Sequence, residues 1–261
     1  MFLTNDYAYF GHLEHSANNP RPRGGPFICL NATSGELVWR INGMFRQSRW
    51  GGRAILGDSI IATQDTYNQQ IYAIGKGPSK LTVSAPNIGV PQGSSVILSG
   101  TVTDVSPGTN DIQLTTRFPN GVPAISDDSQ SDWMLYVYKQ FNKPTNATGV
   151  DVTLIALDSN NNYREIGTAI TDASGTYSMQ WTPDIPGKYT IFASFAGSGA
   201  YYGSSAQTAI GVDAPLETAT PTVTEQPVSI ADQYFIPAIS GLFVAIVVAI
   251  ALILVSLKKR P

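Results

Sequence analysis

Residues 175–195 read GTYSMQWTPDIPGKYTIFASF. Tyr177, Met179 and Trp181 alternate with polar neighbours, and beyond the PDIPG break Tyr189, Ile191, Ala193 and Phe195 do the same. Period-two runs on either side of a Pro/Gly turn predict two half-buried strands joined by a tight connection. The pattern continues outward. SSVILSGTV (94–102) puts Val96, Leu98 and Val102 on one face, and VDVTLIAL (150–157) does so with Val150, Val152, Leu154 and Ala156. Turns at DSNNN and DASG separate the runs.

Bulk composition agrees with an all-β fold class. Only 13% of the residues are charged, whereas Gly, Pro and aromatics are frequent, which favours short strands and turns over long solvated helices. The net charge of −3, with basic residues scattered until the last four positions, provides no basic face for nucleic acid. Cys29 is the only cysteine, so no internal disulfide exists, and its neighbours Ile28 and Leu30 mark it as a small core hydrophobe on a strand.

The 175–195 stretch fits two consecutive motifs, Gly-x-Tyr-x-x-x-Trp-x-Pro from Gly175 to Pro183 and Pro-Gly-x-Tyr-x-x-x-Ala-x-Phe from Pro186 to Phe195. In this it resembles the Ig-like surface domains of bacteria and archaea. The resemblance implies a sandwich of about seven strands in Greek-key order over residues 79–213. An insertion at 104–149 interrupts it. Its segment RFPNGVPAISDDSQSDWMLYVYKQF is richer in aromatics than a loose loop. Trp133, Tyr136, Tyr138 and Phe141 either cover the sandwich and join it to the preceding region, or form a surface for a protein or glycan partner.

Upstream, ICLNATSGELVW (28–39) reads as strand, Ser-Gly turn, strand, with a terminal Trp. It resembles the tryptophan-docking motif of quinoprotein (PQQ-type) β-propellers, Ala-x-Asp-x-x-Thr-Gly-x-x-x-Trp. Cys29 stands for Ala, Asn31 for Asp and Ser34 for Thr, while Gly35 and Trp39 match outright. The resemblance implies that Trp39 packs against the next blade. A weaker copy, QIYAIGKGPSK, sets a repeat of 44 residues from Cys29 to Ala73, close to one four-stranded blade. Between the copies, RAILGDSIIATQD predicts two strands around Gly57-Asp58.

Residues 1–78 therefore read as a partial propeller of less than two blades, whereas a propeller needs about four or more. Further blades are expected upstream or elsewhere. Full quinoprotein propellers bind pyrroloquinoline quinone with calcium at the centre of a closed ring, so no cofactor is expected in this chain alone.

Residues 236–257, IPAISGLFVAIVVAIALILVSL, are uncharged and long enough to cross a bilayer as a helix, with Pro237 expected in the first turn and Tyr234 and Phe235 at the headgroups. Lys258, Lys259 and Arg260 follow at once, whereas 212–233 holds Asp213, Glu217, Glu225 and Asp232 without Lys or Arg. The positive-inside rule then puts the tail at 258–261 in the cytoplasm and the rest outside. The Thr/Pro-rich segment 214–233 reads as a stalk and 234–257 as the lipid-contacting span. The first residues lack a signal peptide, which is expected upstream; the rival, a tail-anchored topology, puts the basic tail on the wrong side. Asn31 and Asn146 begin Asn-x-Thr sequons and are candidate glycosylation sites on an exported chain.

Catalytic patterns are weak. His12, Glu14 and His15 do not have zincin spacing. Asp158, Asn160 and Asn162 begin like a calcium loop, but Tyr163 and Ala169 occupy the positions of its Gly and its bidentate Glu, so a hairpin tip is expected. Asp127, Asp128 and Asp132 form an acidic cluster that reads as a solvated loop more than a calcium site. No Gly-x-Ser-x-Gly elbow or serine base appears. No catalytic, cofactor or metal residue is assigned. The expected function is non-enzymatic: a membrane-anchored surface protein for binding, adhesion or envelope organisation. The alternative is the C-terminal part of an extracytoplasmic quinone-dependent enzyme whose active site lies in other blades.

Overall fold

The longest alternating runs form the strands of a two-sheet sandwich. In the computed structural model, which describes residues 2–11, 24–45, 54–215 and 229–259, one sheet is built on β10 (Val96–Asp104). It pairs antiparallel with β14 (Thr176–Trp181), β8 (Ser79–Leu81) and β11 (Val122–Pro123). The other sheet runs β13 (Tyr163–Ile170), β12 (Asp151–Leu157), β15 (Gly187–Gly197), β16 (Tyr202–Asp213), β9 (Val90–Pro91). Leu98, Val102, Tyr177 and Trp181 meet Val152, Leu154, Tyr189, Ile191 and Phe195 in a single buried core. These are the residues that the alternation selects.

Polar ties hold the sandwich in register. The Tyr177 hydroxyl donates to the Thr82 carbonyl at 2.7 Å, and burial pushes its pKa up to about 12. A Cβ on Gly100 would sit 1.9 Å from that same carbonyl, so only glycine fits there. The Tyr189 hydroxyl donates to Asp184, which also takes a bidentate contact from Arg164 at 2.9 and 2.5 Å.

The N-terminal strands form two antiparallel meanders. The first is β1 (Phe2–Leu3), β2 (Tyr7–Phe10), β3 (Gly25–Asn31) and β4 (Leu37–Phe45); the second is β5 (Ile55–Gly57), β6 (Ile60–Asp65) and β7 (Gln70–Ile74). Their registers match. Phe2, Tyr9 and Cys29 lie side by side in the first as Ile55, Ala62 and Ala73 do in the second. Leu3, Ala8 and Leu30 correspond likewise to Leu56, Ile61 and Ile74. The second meander takes no strand equivalent to β4, because the chain passes into β8 and joins the sandwich. Phe27 of the first meander packs with Ile61 and Tyr72 of the second.

The all-β expectation is corrected to mostly β. The 104–149 insertion holds a 3-10 turn (Pro107–Asn110), α1 (Ile112–Arg117) and α2 (Asp127–Lys139). Two acidic residues in the first turn of α2 and Lys139 in its last complement the helix dipole. Residues 1–215 form one compact unit and 216–261 another.

In the second unit, α3 spans Ile230–Lys258 with a mean hydropathy of 3.1 over its most apolar window. Pro237 is not in the first turn as expected: the helix starts at Ile230, because Ser229 accepts the amide of Ala231 as a cap and Asp232 favours the N-terminal turn. Arg260, the last basic residue of the tail, lies outside the described residues.

Candidate functional site

Helix α2 is the centre around which the polar and aromatic side chains of the insertion converge. Its Trp133 and Val137 enter a cluster with Leu114, Val122 and Ile125, while Leu135 enters the cluster of Phe27, Ile61 and Tyr72 from the two meanders. The helix is apolar on both sides because it is packed on both sides.

Of the four aromatics proposed as a partner surface, Trp133 is fully buried, which corrects that reading for it. Phe118, Trp133 and Tyr136 form an aromatic group with centroids 5.3–6.4 Å apart. Tyr138 is half-buried between the two clusters. A Cβ on Gly43 would meet the Phe141 ring at 3.4 Å, so Phe141 lies against β4. Tyr138 and Phe141 tie the insertion to the meanders, whereas Trp133 and Tyr136 pack within the insertion's own cluster.

Nothing in the sequence singles out Lys139, Asp65 or Arg117, three charged residues of this junction. Lys139 forms a buried ion pair with Asp65 at the end of β6, with its Nζ 5.3 Å from the Tyr72 ring centroid. Arg117 donates to the carbonyls of Val137 (2.8 Å) and Tyr136 (3.0 Å), satisfying the end of α2, and its guanidinium lies 4.9 Å from the Tyr136 ring. Asp127 accepts the amides of Gly199 (2.7 Å) and Ala200 (3.0 Å), fixing the start of α2 to the sandwich. The acidic cluster read as a solvated loop is thus corrected: Asp127, Asp128 and Asp132 all lie on α2, all three are exposed, and Asp127 is engaged by the two sandwich amides.

Asp104 is buried and accepts the Ser106 amide at 2.8 Å; burial raises its carboxyl above the ordinary range. Tyr138 and Tyr201 are raised by burial and then by the nearby Asp104 charge. Gln130 Nε2 donates to the Tyr201 hydroxyl at 3.3 Å. The Ser106 side chain also hydrogen-bonds the Asp104 carboxyl.

The remaining sequence-selected residues have local roles. Gly35 adopts φ +74° in the turn before β4, and Asn31 Oδ1 accepts the amides of Thr33 and Ser34 at 2.9 Å each. Trp39 lies on the face of the first meander that packs on the second, stacked on Phe27 at 5.7 Å. Cys29 is buried, and burial pushes its thiol up, away from reactivity. Asn146 is exposed. Asp158 accepts the amides of Asn160 and Asn162 and the side chain of Asn162, which closes the hairpin tip and holds its carboxyl low. His12, Glu14 and His15 lie outside the described residues. Among the described residues no group of His, Cys, Asp or Glu has metal-site geometry.

No protein-family model matches the chain, and no curated protein matches it. Among solved structures it is similar to the fibronectin(III)-like modules of Clostridium thermocellum CbhA, at 8% identity and a TM-score of 0.30 over 72% of this chain and 85% of that one. A β-glycosidase from Bacteroides vulgatus matches at 10% identity and a TM-score of 0.26, over 79% of this chain and 24% of that one. At these scores the fold description rests on the strand topology above.

Proposed function

We propose that this chain is a non-enzymatic surface protein, anchored by α3, that displays its β-rich unit for binding, adhesion or envelope organisation. The observation that carries the reading is the uncharged run from Ile236 to Leu257 in a helix closed by Lys258 and Lys259. On this reading the basic tail is cytoplasmic and the folded unit extracytoplasmic, raised by the 214–233 stalk. The two meanders are read as successive PQQ-like blades, supported by their matched registers and the Gly35/Trp39 turn. The sandwich at 79–213 is read as the Ig-like module.

Protease added to intact expressing cells tests the topology. Loss of residues 1–233 with survival of a small tail-bearing fragment supports the reading. Full protection of the β-rich unit until the cells are lysed overturns it.

A further inference from the structure

Packing, not sequence neighbourhood, brings Lys139 and Asp65 together. Leu135 and Phe141, on either side of Lys139, seat the end of α2 on Phe27, Ile61 and Tyr72. Along β6, Ile61, Thr63 and Asp65 alternate inward, which carries the carboxylate to the buried end of that strand. There Lys139 Nζ meets Asp65 Oδ2, with both side chains out of water. The rings of Tyr67 and Tyr72 stand 5.9 and 5.3 Å from the same Nζ. The other carboxylate oxygen, Oδ1, accepts the Tyr67 amide at 3.0 Å.

These are the parts of an amide-forming site. Fixing the amine beside the carboxyl carbon replaces a bimolecular encounter with an internal one. An N–H already on Oδ1 stabilises negative charge that develops there, as an oxyanion hole does. Two buried charges carry a desolvation penalty that a neutral amide does not. Exclusion of water also withholds the reactant of the reverse hydrolysis.

We infer that Lys139 and Asp65 condense into an intramolecular isopeptide bond that joins the second meander to α2. A proton passes from the ammonium to Oδ2, and the freed amine attacks Cγ. The Nζ–Cγ bond forms as an electron pair moves onto Oδ1, where the Tyr67 amide holds it. A second proton leaves the nitrogen for Oδ2; the Oδ1 pair returns, the Cγ–Oδ2 bond breaks, and Oδ2 departs as water. Ammonium and carboxylate thus give one amide and one water, with no other reactant. The ion pair is the starting state, held by the newly folded chain until the bond closes. The product is a covalent loop from 65 to 139 that keeps the meanders tied to the sandwich when their packing is lost. This inference stands on the geometry of the junction and not on the membrane topology.

The test compares the full chain, purified in detergent, with Lys139→Arg. That variant keeps a positive charge beside Asp65, but its guanidinium stays protonated and does not attack. Intact mass is followed from the day of purification over several days, below the unfolding temperature. The wild type is expected to become lighter by one water and to finish there, whereas Lys139→Arg keeps its full mass. Trypsin should then release peptide 54–76 joined to peptide 118–164, since the link blocks cleavage after Lys139 and Lys143 precedes Pro144. Fragmentation should place the link at Asp65 and Lys139. A wild type that stays at full mass, or that yields free 54–76 with normal cleavage after Lys139, overturns the proposal. A water loss that maps to other residues, or that is equal in Lys139→Arg, overturns it as well. Should Lys139→Arg not fold, Asp65→Leu with Lys139→Met is the unlinked standard, and the wild-type peptide map decides.

Discussion

Lys139 in the last turn of α2 and Asp65 at the end of β6 form an ion pair in which the side chains are 2% and 0% exposed. Neither charge reaches water, and the pair spans two parts of the chain with separate sequence signatures: a meander strand and a helix inserted in the sandwich. Removing the Asp65 charge leaves the Lys139 ammonium buried without its counter-charge. Asp65→Asn should therefore destabilise the chain by about 3 kcal/mol or more. Replacing both, as Asp65→Leu with Lys139→Met, should recover most of that loss, since an apolar pair of similar volume needs no charge compensation. Denaturant unfolding of the three variants in one buffer measures this. A double variant no better than the single one would contradict it.

Arg117 is the second tie at the same end of α2. It satisfies two terminal carbonyls and stacks against Tyr136 and Phe118. A lysine keeps the charge but has no planar fork to reach both carbonyls or lie on a ring. Arg117→Lys should cost about 1–2 kcal/mol, close to the effect of Arg117→Ala. Thermal unfolding of both variants checks it, and a lysine variant as stable as wild type would show that charge alone matters.

Asp104 predicts a pH signature. Its carboxyl pKa is raised in the folded chain, so the folded state holds that proton more tightly than the unfolded state. The stability it adds is fully present below the ordinary value of 3.8 and is lost as pH rises through the higher folded value. At neutral pH the buried carboxylate is then a net burden. Asp104→Asn keeps the acceptor for the Ser106 amide and removes the charge. Its melting temperature should exceed the wild type's by a few degrees at pH 7, with the gap closing toward pH 4. A gap that stays constant with pH would remove Asp104 as its source.

The sandwich core was legible because Leu98, Val152, Leu154, Tyr189 and Ile191 sit at period-two spacing on strands whose other face is wet. Helix α2 was not recognised, although Ser126 followed by Asp127 and Asp128 is a helix-start pattern. Its run WMLYVY is apolar all round, since it packs between two clusters, and so lacks the one-sided periodicity that reveals a surface helix. The Lys139–Asp65 pair was invisible for another reason. Its members are 74 residues apart and nothing local to either marks it as buried. Pro237 misled because a proline near the start of an apolar run suggests a first turn, whereas Ser229 caps the helix earlier.

The last prediction concerns how far the sandwich depends on the meanders. Its main core, from Leu81 to Val212, is closed by its own two sheets. By contrast Met134, Leu135, Tyr138 and Phe141 pack on Phe27, Ile61 and Tyr72 of the meanders, and Lys139 needs Asp65. A fragment of residues 79–215 should thus unfold cooperatively, yet with the last two turns of α2 loosened. A fragment of residues 1–78 loses the packing of α2 on Phe27, Ile61 and Tyr72, and its burial falls short of a backbone entropy cost of about 1–2 kcal/mol per residue. It should aggregate or stay largely unfolded. Hydrogen exchange distinguishes these outcomes. In the 79–215 fragment, amides of residues 134–141 should exchange at least tenfold faster than in the full chain, while those of β12 and β15 stay protected. Uniformly fast exchange, or a sharp thermal transition of monomeric 1–78, would show that the two parts share stability in another way.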